Sequence, residues 1–206
     1  MFRIAVLAST KGTDLQAIID EIKAGKMPGI ELAVVISNKK DAYALERAQS
    51  QGYKTIFIDP TGKTREEFDA ELVKTLRDYE VQLVCLIGYM RILTPVFVNA
   101  FKGRIINVHP ALLPKFGGKN FYGANVHAAV LKAGEKETGC TFHFVTEEVD
   151  GGPIILQDKV AVEPHDTPDT LKEKVQALEK KWYPEIIRRI AAGKIKFSPS
   201  STSKNT

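Results

Sequence analysis

Short apolar segments alternate with amphipathic segments over the first half of this 206-residue chain. The apolar segments are rich in β-branched residues and are bounded by turn-forming residues, which is typical of buried strands; they cover residues 2–8, 31–36, 55–58, 83–87 and 104–108. Strands that alternate with helices form right-handed βαβ units in which neighbouring strands run parallel. The sequence therefore predicts an α/β fold, a Rossmann-like and mostly parallel sheet with helices on both faces.

The segments between these strands carry helix signals. The first helix has one apolar face at the i, i+3, i+4, i+7 spacing, formed by Leu15, Ile18, Ile19 and Ile22. A second helix is predicted over residues 42–49. The third begins with a capping box, Thr64-Arg65-Glu66-Glu67, and its buried face is predicted to consist of Phe68, Leu72 and Leu76.

The second half of the chain follows a different pattern. Residues 140–145 alternate as a strand, with Thr141 and His143 on one face, and residues 154–162 predict a further strand; these C-terminal strands are expected to be partly antiparallel. A helix over roughly residues 125–132 precedes them. A long C-terminal helix begins at Thr167-Pro168, and Pro184 is expected to kink or restart it. We expect a single domain over residues 1–197 and a disordered tail at residues 198–206.

Composition excludes several classes of protein. Net charge is +4, from 29 basic and 25 acidic residues, and the basic residues are scattered, which argues against nucleic-acid binding. Cys85 and Cys140 lack a CxxC spacing and are predicted to be buried thiols. The apolar run at residues 4–8 is too short for a signal peptide, and no window approaches a membrane span, so we expect a cytoplasmic protein without membrane partners.

Asn107 and His109 stand two residues apart at the end of a predicted strand, so their side chains project to the same side. Open α/β sheets place their ligand crevice at this end of the strands. An amide donor beside an imidazole suits a reaction in which a carbonyl oxygen gains negative charge. The alternative is an Asn that caps the next loop and a His satisfied by backbone, and the two residues alone favour that alternative.

The turn after the first strand is a candidate phosphate site. Backbone N–H groups of Lys11, Gly12, Thr13 and Asp14 are predicted to lie at a helix N-terminus, where free donors and the helix dipole attract an anion. Neither the Rossmann nor the Walker glycine pattern is present, so neither a dinucleotide nor ATP is implied. An ordinary βα turn is an equally good interpretation of this segment alone.

Asp150 precedes Gly151-Gly152-Pro153 in a turn that can fix the direction of its carboxylate. If the carboxylate reaches His109, we expect it to raise the pKa of the imidazole and hold it protonated. The alternative, a carboxylate that only stabilises its own turn, is favoured for this motif alone. His143 is interpreted as a satisfied core histidine, and no ligand spacing supports a metal site.

Two motifs together give these residues a more specific meaning. The runs Asn107-x-His109-Pro110-x-Leu112-Leu113-Pro114 and Asp150-Gly151-Gly152-Pro153 resemble those of the folate-dependent formyltransferases, and the similarity extends over about residues 4–190. The loop Gly12-Thr13-Asp14-Leu15-Gln16-Ala17-Ile18 is similar to that of the branch that acts on glycinamide ribonucleotide. The chain length agrees, because tRNA-binding or regulatory domains would need additional residues.

The resemblance implies transfer of the formyl group of 10-formyltetrahydrofolate to the amine of 5′-phosphoribosylglycinamide in purine biosynthesis, without a metal. It implies an N-terminal half (about 1–109) that holds phosphate and a folate and catalytic half (about 85–197). The implied catalytic residues are Asn107, His109 and Asp150. The phosphate would be held by Lys11, Gly12, Thr13, Asp14 and Arg65, and the ribonucleotide would contact Glu179. Folate would be bound by Met90, Arg91, Ile92, Leu93, Asn107, Val145 and Asp150.

Two residues depart from the family's loop. Asp14 replaces the usual Asn, and Thr10 stands where the first glycine is usual. We expect Asp14 to cap the helix through its side chain while Lys11 offsets its charge. A formyltetrahydrofolate hydrolase, a formyltransferase for another amine and a non-catalytic sugar-phosphate binder remain alternatives, and the expected assembly is a monomer or homodimer.

Overall fold

The computed structural model describes residues 1–118, 121 and 123–198. Seven strands form one sheet in the order β3-β2-β1-β4-β5-β6-β7. Their bounds are β1 Phe2–Leu7, β2 Ile30–Ser37, β3 Thr55–Phe57, β4 Leu83–Leu86, β5 Ile105–His109, β6 Glu137–Phe144 and β7 Ile154–Ala161. Strands β1 to β5 are parallel, whereas β6 runs antiparallel to both β5 and β7. The predicted mixed sheet is confirmed.

Helices cover both faces of this sheet, and each face has its own hydrophobic core. The helices are α1 Thr13–Lys23, α2 Tyr43–Gln49, α3 Arg65–Asp78, α4 Pro95–Ala100, α5 Ala124–Lys132 and α6 Pro168–Ala191. One core contains apolar residues of α1, α2 and α6, and the other contains those of α3 and α4. Helix α1 buries Leu15, Ile18 and Ile19, as its spacing predicts, and the capping box at Thr64 is present.

The structure corrects the sequence interpretation in two places. The sequence interpretation does not include the short helix α4. Its N-cap is Thr94 and its first residue is Pro95, and proline is frequent at the first position of a helix. Helix α6 continues through Pro184 to Ala191, so the predicted restart is wrong. Both cysteines are buried thiols, as expected. Of the predicted disordered tail only Ser198 lies within the described residues.

Helix α6 is fastened to the sheet close to the strand ends that carry the candidate site. The Tyr183 hydroxyl donates a hydrogen bond of 2.8 Å to the carbonyl of Leu86, the last residue of β4. The ring of Tyr183 packs edge-to-face on Phe142 of β6 at 5.2 Å between centroids. Among the described residues, no helix has both the length and the apolar composition that crossing a membrane requires.

We expect Tyr183→Phe to lower the free energy of unfolding by about 1–3 kcal/mol, because it leaves the buried Leu86 carbonyl without its donor while keeping the ring contact. Urea unfolding followed by far-UV circular dichroism measures this change. Tyr43→Phe is the matched control, since Tyr43 is about half exposed and belongs to neither hydrophobic core. Equal stability of both variants would contradict the structural role of the Tyr183 hydroxyl.

Candidate active site

A cavity of about 960 Å³ opens at the carboxyl ends of β1, β4 and β5, which is where the sequence predicts the ligand crevice. Helix α1 begins at one end of the cavity, and the β5–β6 pair forms the other. With one exception, all of the predicted site residues line this cavity: Lys11, Gly12, Thr13, Asp14, Met90, Arg91, Ile92, Leu93, Asn107, His109, Val145, Asp150 and Glu179. The exception is Arg65.

The pairing of β5 with β6 sets the geometry at one end. Asn107 lies opposite His143 and His109 lies opposite Thr141 in the antiparallel ladder. The Asn107 amide donates from Nδ2 to Nε2 of His143 at 3.2 Å. The His109 Nε2–H donates to the carbonyl of Phe116 at 2.6 Å. Two side chains that are adjacent on one strand face are thus each held by a neighbouring segment.

Asp150 lies between the two histidines. Its Oδ2 is 3.4 Å from Nδ1 of His109, and its Oδ1 is 3.6 Å from Nε2 of His143. The Gly118 N–H donates to Oδ2 at 2.9 Å. The backbone of Asp150 has a φ of +57°, an unusual conformation for a residue other than glycine and one that is found at functional turns. Asp150 therefore reaches both His109 and His143 and does more than stabilise its own turn.

Burial outweighs the carboxylate in setting the charge of His109. Desolvation lowers the pKa of His109 below its ordinary value of 6.5, although Asp150 and the Phe116 carbonyl both act to raise it. Asp150 thus acts to raise the pKa of His109, as expected, but desolvation is the larger effect and the net shift is downward. The further expectation, that Asp150 alone holds the imidazole protonated, is not met in the ligand-free protein. Burial also acts to raise the pKa of Asp150, but contacts with His143, Gly118 and His109 hold it below its ordinary value.

His143 is buried and satisfied, as predicted, but it belongs to the site as well. Its Nδ1–H donates to the Phe144 carbonyl at 3.0 Å, which leaves the Nε2 lone pair to accept from Asn107. Since a neutral imidazole has one donor and one acceptor nitrogen, this arrangement fixes the tautomer of His143. His143 thereby orients the amide of Asn107.

Thr141 holds the segment that follows β5. Its hydroxyl donates to the Ala111 carbonyl at 2.6 Å and accepts from the Leu113 N–H at 3.0 Å and from Gln157 at 2.9 Å. These three bonds connect the residues just after His109 to β6 and β7. The Thr141 side chain therefore fixes the exit of the chain from the catalytic strand.

The other end of the cavity is the N-terminus of α1. Gly12 adopts a φ of +62°, and a Cβ at this position would lie only 2.9 Å from Cβ of Ala44, so both backbone conformation and space require glycine. Gly12 is the N-cap residue, and within the described chain no side chain caps α1. The expectation that Asp14 caps this helix is wrong, and the first-turn N–H groups of α1 are free to bind an anion.

Residues 90–93 form the rim between the two ends. Met90 and Ile92 are about half exposed there, while the guanidinium of Arg91 stacks on the Phe68 ring at 4.3 Å. Arg65 supports this rim from outside, because its Nη2 donates to the Ile92 carbonyl at 2.7 Å. Arg65 is not among the described residues that line the cavity, so its phosphate contact stays a prediction.

A family model described as "Formyl transferase" matches residues 2–187. This chain belongs to the formyl transferase family.

Relatives of known activity and structure lie within this family. The chain is 44% identical over 195 residues to the phosphoribosylglycinamide formyltransferase of Escherichia coli strain K12, covering 94% of this chain and 89% of that protein. It is 42% identical to part of the trifunctional purine biosynthetic protein adenosine-3 of Gallus gallus, covering 94% of this chain but 19% of that protein. The crystal structure of glycinamide ribonucleotide transformylase 1 from Symbiobacterium toebii superposes with a TM-score of 0.88 at 46% identity, covering 94% and 89% of the two chains.

Among the further residues that line the cavity, His127, Lys172 and Gln176 carry polar side chains that the sequence interpretation did not select. Lys172 and Gln176 precede Glu179 on α6 by seven and three residues, so helical spacing from Glu179 would have found them. His127 is buried, and its Nδ1 has no hydrogen-bond partner among the described residues. Burial, with smaller contributions from Lys172 and His109, lowers the pKa of His127 to about 4, so it is neutral at pH 7.

Within the described residues, no group of three or more His, Cys, Asp and Glu side chains is arranged to hold a metal ion. The expectation of metal-free chemistry stays a prediction.

We expect the pKa of His109 to lie below 6.5 in the ligand-free protein. It should fall further in Asp150→Asn, because the Asp150 carboxylate stabilises the charged imidazole and the variant lacks it. Titration of the imidazole Cε1–H signals by NMR measures both values, with His109→Gln to assign the signal. Asp158→Asn is the matched control, because the Asp158 carboxylate lies on β7 and accepts a hydrogen bond from Trp182. A rise of this pKa in Asp150→Asn would contradict the electrostatic arrangement.

Proposed function

We propose that this protein transfers the formyl group of 10-formyltetrahydrofolate to the amine of 5′-phosphoribosylglycinamide in de novo purine biosynthesis. The observation that carries this proposal is that one cavity contains both an anion-binding helix N-terminus and the Asn107–His109–Asp150 cluster. A ribonucleotide with a phosphate at one end and an amine at the other fits such a cavity. The names of the relatives support the same reaction.

The proposed orientation follows from charge. The phosphate binds at the N–H groups of residues 12–14, with Lys11 beside them, because the helix dipole attracts an anion there. The ribose lies against Gln176 and Glu179, and the amine reaches Asn107 and His109. The pterin occupies the space between the rim at residues 90–93 and the turn at 145–150. On this proposal residues 1–109 supply mainly phosphate contacts, and residues 85–197 supply the folate and catalytic contacts of a single domain.

The proposed chemistry is direct attack. The substrate amine forms a bond to the formyl carbon, and the electron pair of the C=O bond moves to the formyl oxygen. When the tetrahedral intermediate collapses, the C–N bond to the folate breaks, and the folate nitrogen receives the proton that the substrate amine loses. Asp150, through a water molecule, accepts and returns this proton.

The oxyanion is stabilised by Asn107 and His109. The second N–H of the Asn107 amide is available because the first is directed at His143. The Nε2–H of His109 becomes available when the Phe116 carbonyl withdraws. The negative charge of the oxyanion then favours the protonated imidazole, whose Nδ1–H faces Asp150. No covalent nucleophile is required. We further propose that the protein is a cytoplasmic monomer or homodimer whose partners are these small molecules.

The test is an absorbance assay of 10-formyltetrahydrofolate consumption with and without glycinamide ribonucleotide. We expect turnover that depends strictly on the ribonucleotide. Formate release in its absence would instead indicate a hydrolase, and turnover only with another amine would indicate a different acceptor. Either result would overturn the proposed reaction.

We expect Asn107→Ala to reduce kcat on the order of a hundredfold or more, with little change in folate affinity, since an oxyanion donor is worth about 3–4 kcal/mol in the transition state. Steady-state kinetics and folate binding by fluorescence measure the two effects separately. Gln49→Ala is the matched control, because the Gln49 amide is exposed at the end of α2 and is not among the described residues that line the cavity. Near-normal turnover of Asn107→Ala would remove the central assignment.

A further inference from the structure

The acidic side chain at the start of α1 is buried and incompletely satisfied. Asp14 is 4% exposed, lines the cavity, and its Oδ1 has no hydrogen-bond partner among the described residues. A carboxylate in the first turn of a helix is usually favourable because it caps or interacts with the dipole. Here, however, it occupies the end of the cavity that is proposed to hold a phosphate, where a second negative charge would be repelled.

A second buried carboxyl group, that of Glu179 on α6, lines the same cavity as Asp14. Glu179 is 6% exposed, and the two groups interact electrostatically, so that Asp14 acts to raise the pKa of Glu179 in addition to the larger effect of burial. Two like charges so close in a buried site cannot both form without a large cost. The pair therefore carries at least one proton at neutral pH.

The charged and titratable groups around the pair come from every element that packs against it. Helix α6 contributes Lys172, Lys180 and the buried Tyr183, β6 contributes Cys140, and the preceding turn contributes Lys11. Lys180 acts to lower the pKa of Asp14, and Lys172 and Lys180 act to lower that of Glu179. Burial prevails for both groups: the pKa of Asp14 rises to about 7, and that of Glu179 lies well above its ordinary value.

We propose that Asp14, in its neutral protonated form, is a specificity-determining residue of the phosphate site, and that the protein takes up a proton at Asp14 when it binds the ribonucleotide. This inference rests on the proposed function, since it assumes that the phosphate lies at the N-terminus of α1. We assign the proton that the pair retains to Glu179, because both burial and Asp14 raise the pKa of Glu179. The free Oδ1 of Asp14 is then a hydrogen-bonding group for the substrate.

The direction of the pH dependence follows from the charges. A phosphate monoester loses its second proton near pH 6, so at pH 7 and above the ligand is largely a dianion. As the pH rises above 7, Asp14 ionises in the empty site and must be protonated again before the dianion binds. Affinity for a phosphate ligand therefore falls with rising pH, approaching tenfold for each pH unit where protonation is required for binding.

The experiment measures binding of ribose 5-phosphate by isothermal titration calorimetry at pH 7.0 and 8.5. This probe carries the phosphate and ribose but no amine, so the titration of the substrate's own amine does not interfere. For the unaltered protein we expect Kd to increase on the order of tenfold between the two pH values. At pH 7.5, buffers of different ionisation enthalpy should reveal proton uptake on binding.

Asp14→Asn is the decisive variant because the amide has the shape of the protonated carboxyl group and cannot ionise. We expect it to bind ribose 5-phosphate with the same Kd at both pH values and without proton uptake. Asp20→Asn removes an equal charge from an exposed position of α1 and should retain the full pH dependence. Glu179→Gln imitates the protonated partner and should also retain it, whatever its effect on affinity.

A ligand-free measurement tests the same ionisation. A carboxyl group with a raised pKa in the folded state costs stability as the pH rises from its unfolded value near 3.9 to its folded value, here about 7. The Tm of Asp14→Asn should therefore exceed that of the unaltered protein by an amount that grows between pH 4 and 7 and is constant above. A difference in Tm that does not vary with pH would overturn the proposal.

Two calorimetric outcomes also overturn it. If Asp14→Asn keeps the pH dependence and Glu179→Gln loses it, the titrating group is Glu179. If ribose 5-phosphate binds to none of the proteins at either pH, the phosphate does not lie at α1 and this inference falls. The formyl-transfer assay is independent of both results, so failure of the proposed reaction is distinguishable from failure of the Asp14 proposal.

Discussion

The antiparallel pairing of β6 with β5 is the interaction on which the site depends. In a wholly parallel sheet, the strand next to β5 would run in the same direction as β5, and its carboxyl end would lie beside that of β5. Here β6 runs in the opposite direction, so His143 and Thr141 lie directly beside Asn107 and His109. His143 orients the amide of Asn107, and Thr141 anchors the segment after His109. The reversal of strand direction thus supplies supporting contacts that ordinary crossover connections would not.

Burial dominates the pKa of four ionisable groups that line the cavity, whereas contacts together dominate that of Asp150. The pKa values of His109 and His127 are lowered and those of Asp14 and Glu179 are raised, in each case chiefly by desolvation. Each shift favours the neutral form, so the empty cavity carries less charge than its residue types suggest. A neutral, partly dehydrated site strengthens whatever charge the substrates bring into it. The N-terminus of α1, together with Lys11 and Lys172 in the lining, remains the source of its attraction for anions.

Periodicity and turn residues were sufficient to predict the seven strands, every described helix except α4, and the edge of the sheet that carries the site. Asn107 and His109 were identifiable because strand alternation places them on one face. The charge of His109 could not be predicted from the sequence. It depends on the balance between desolvation and the Asp150 carboxylate, and that balance is set by the three-dimensional structure. His127 lies on α5, and no motif or residue spacing around it indicated a place in the site. The continuation of α6 through Pro184 reflects tertiary packing that outweighs the propensity of proline.

The bond between Tyr183 and the Leu86 carbonyl has a consequence for how the protein is made. Residues of the first turn, such as Asp14, and residues of α6, such as Glu179, face one another across a sequence separation of more than three quarters of the chain. A growing polypeptide at the ribosome that still lacks residues 168–191 has neither the wall of the cavity nor the donor for that carbonyl. A ligand of the complete cavity can therefore stabilise only a chain that already contains the last helix.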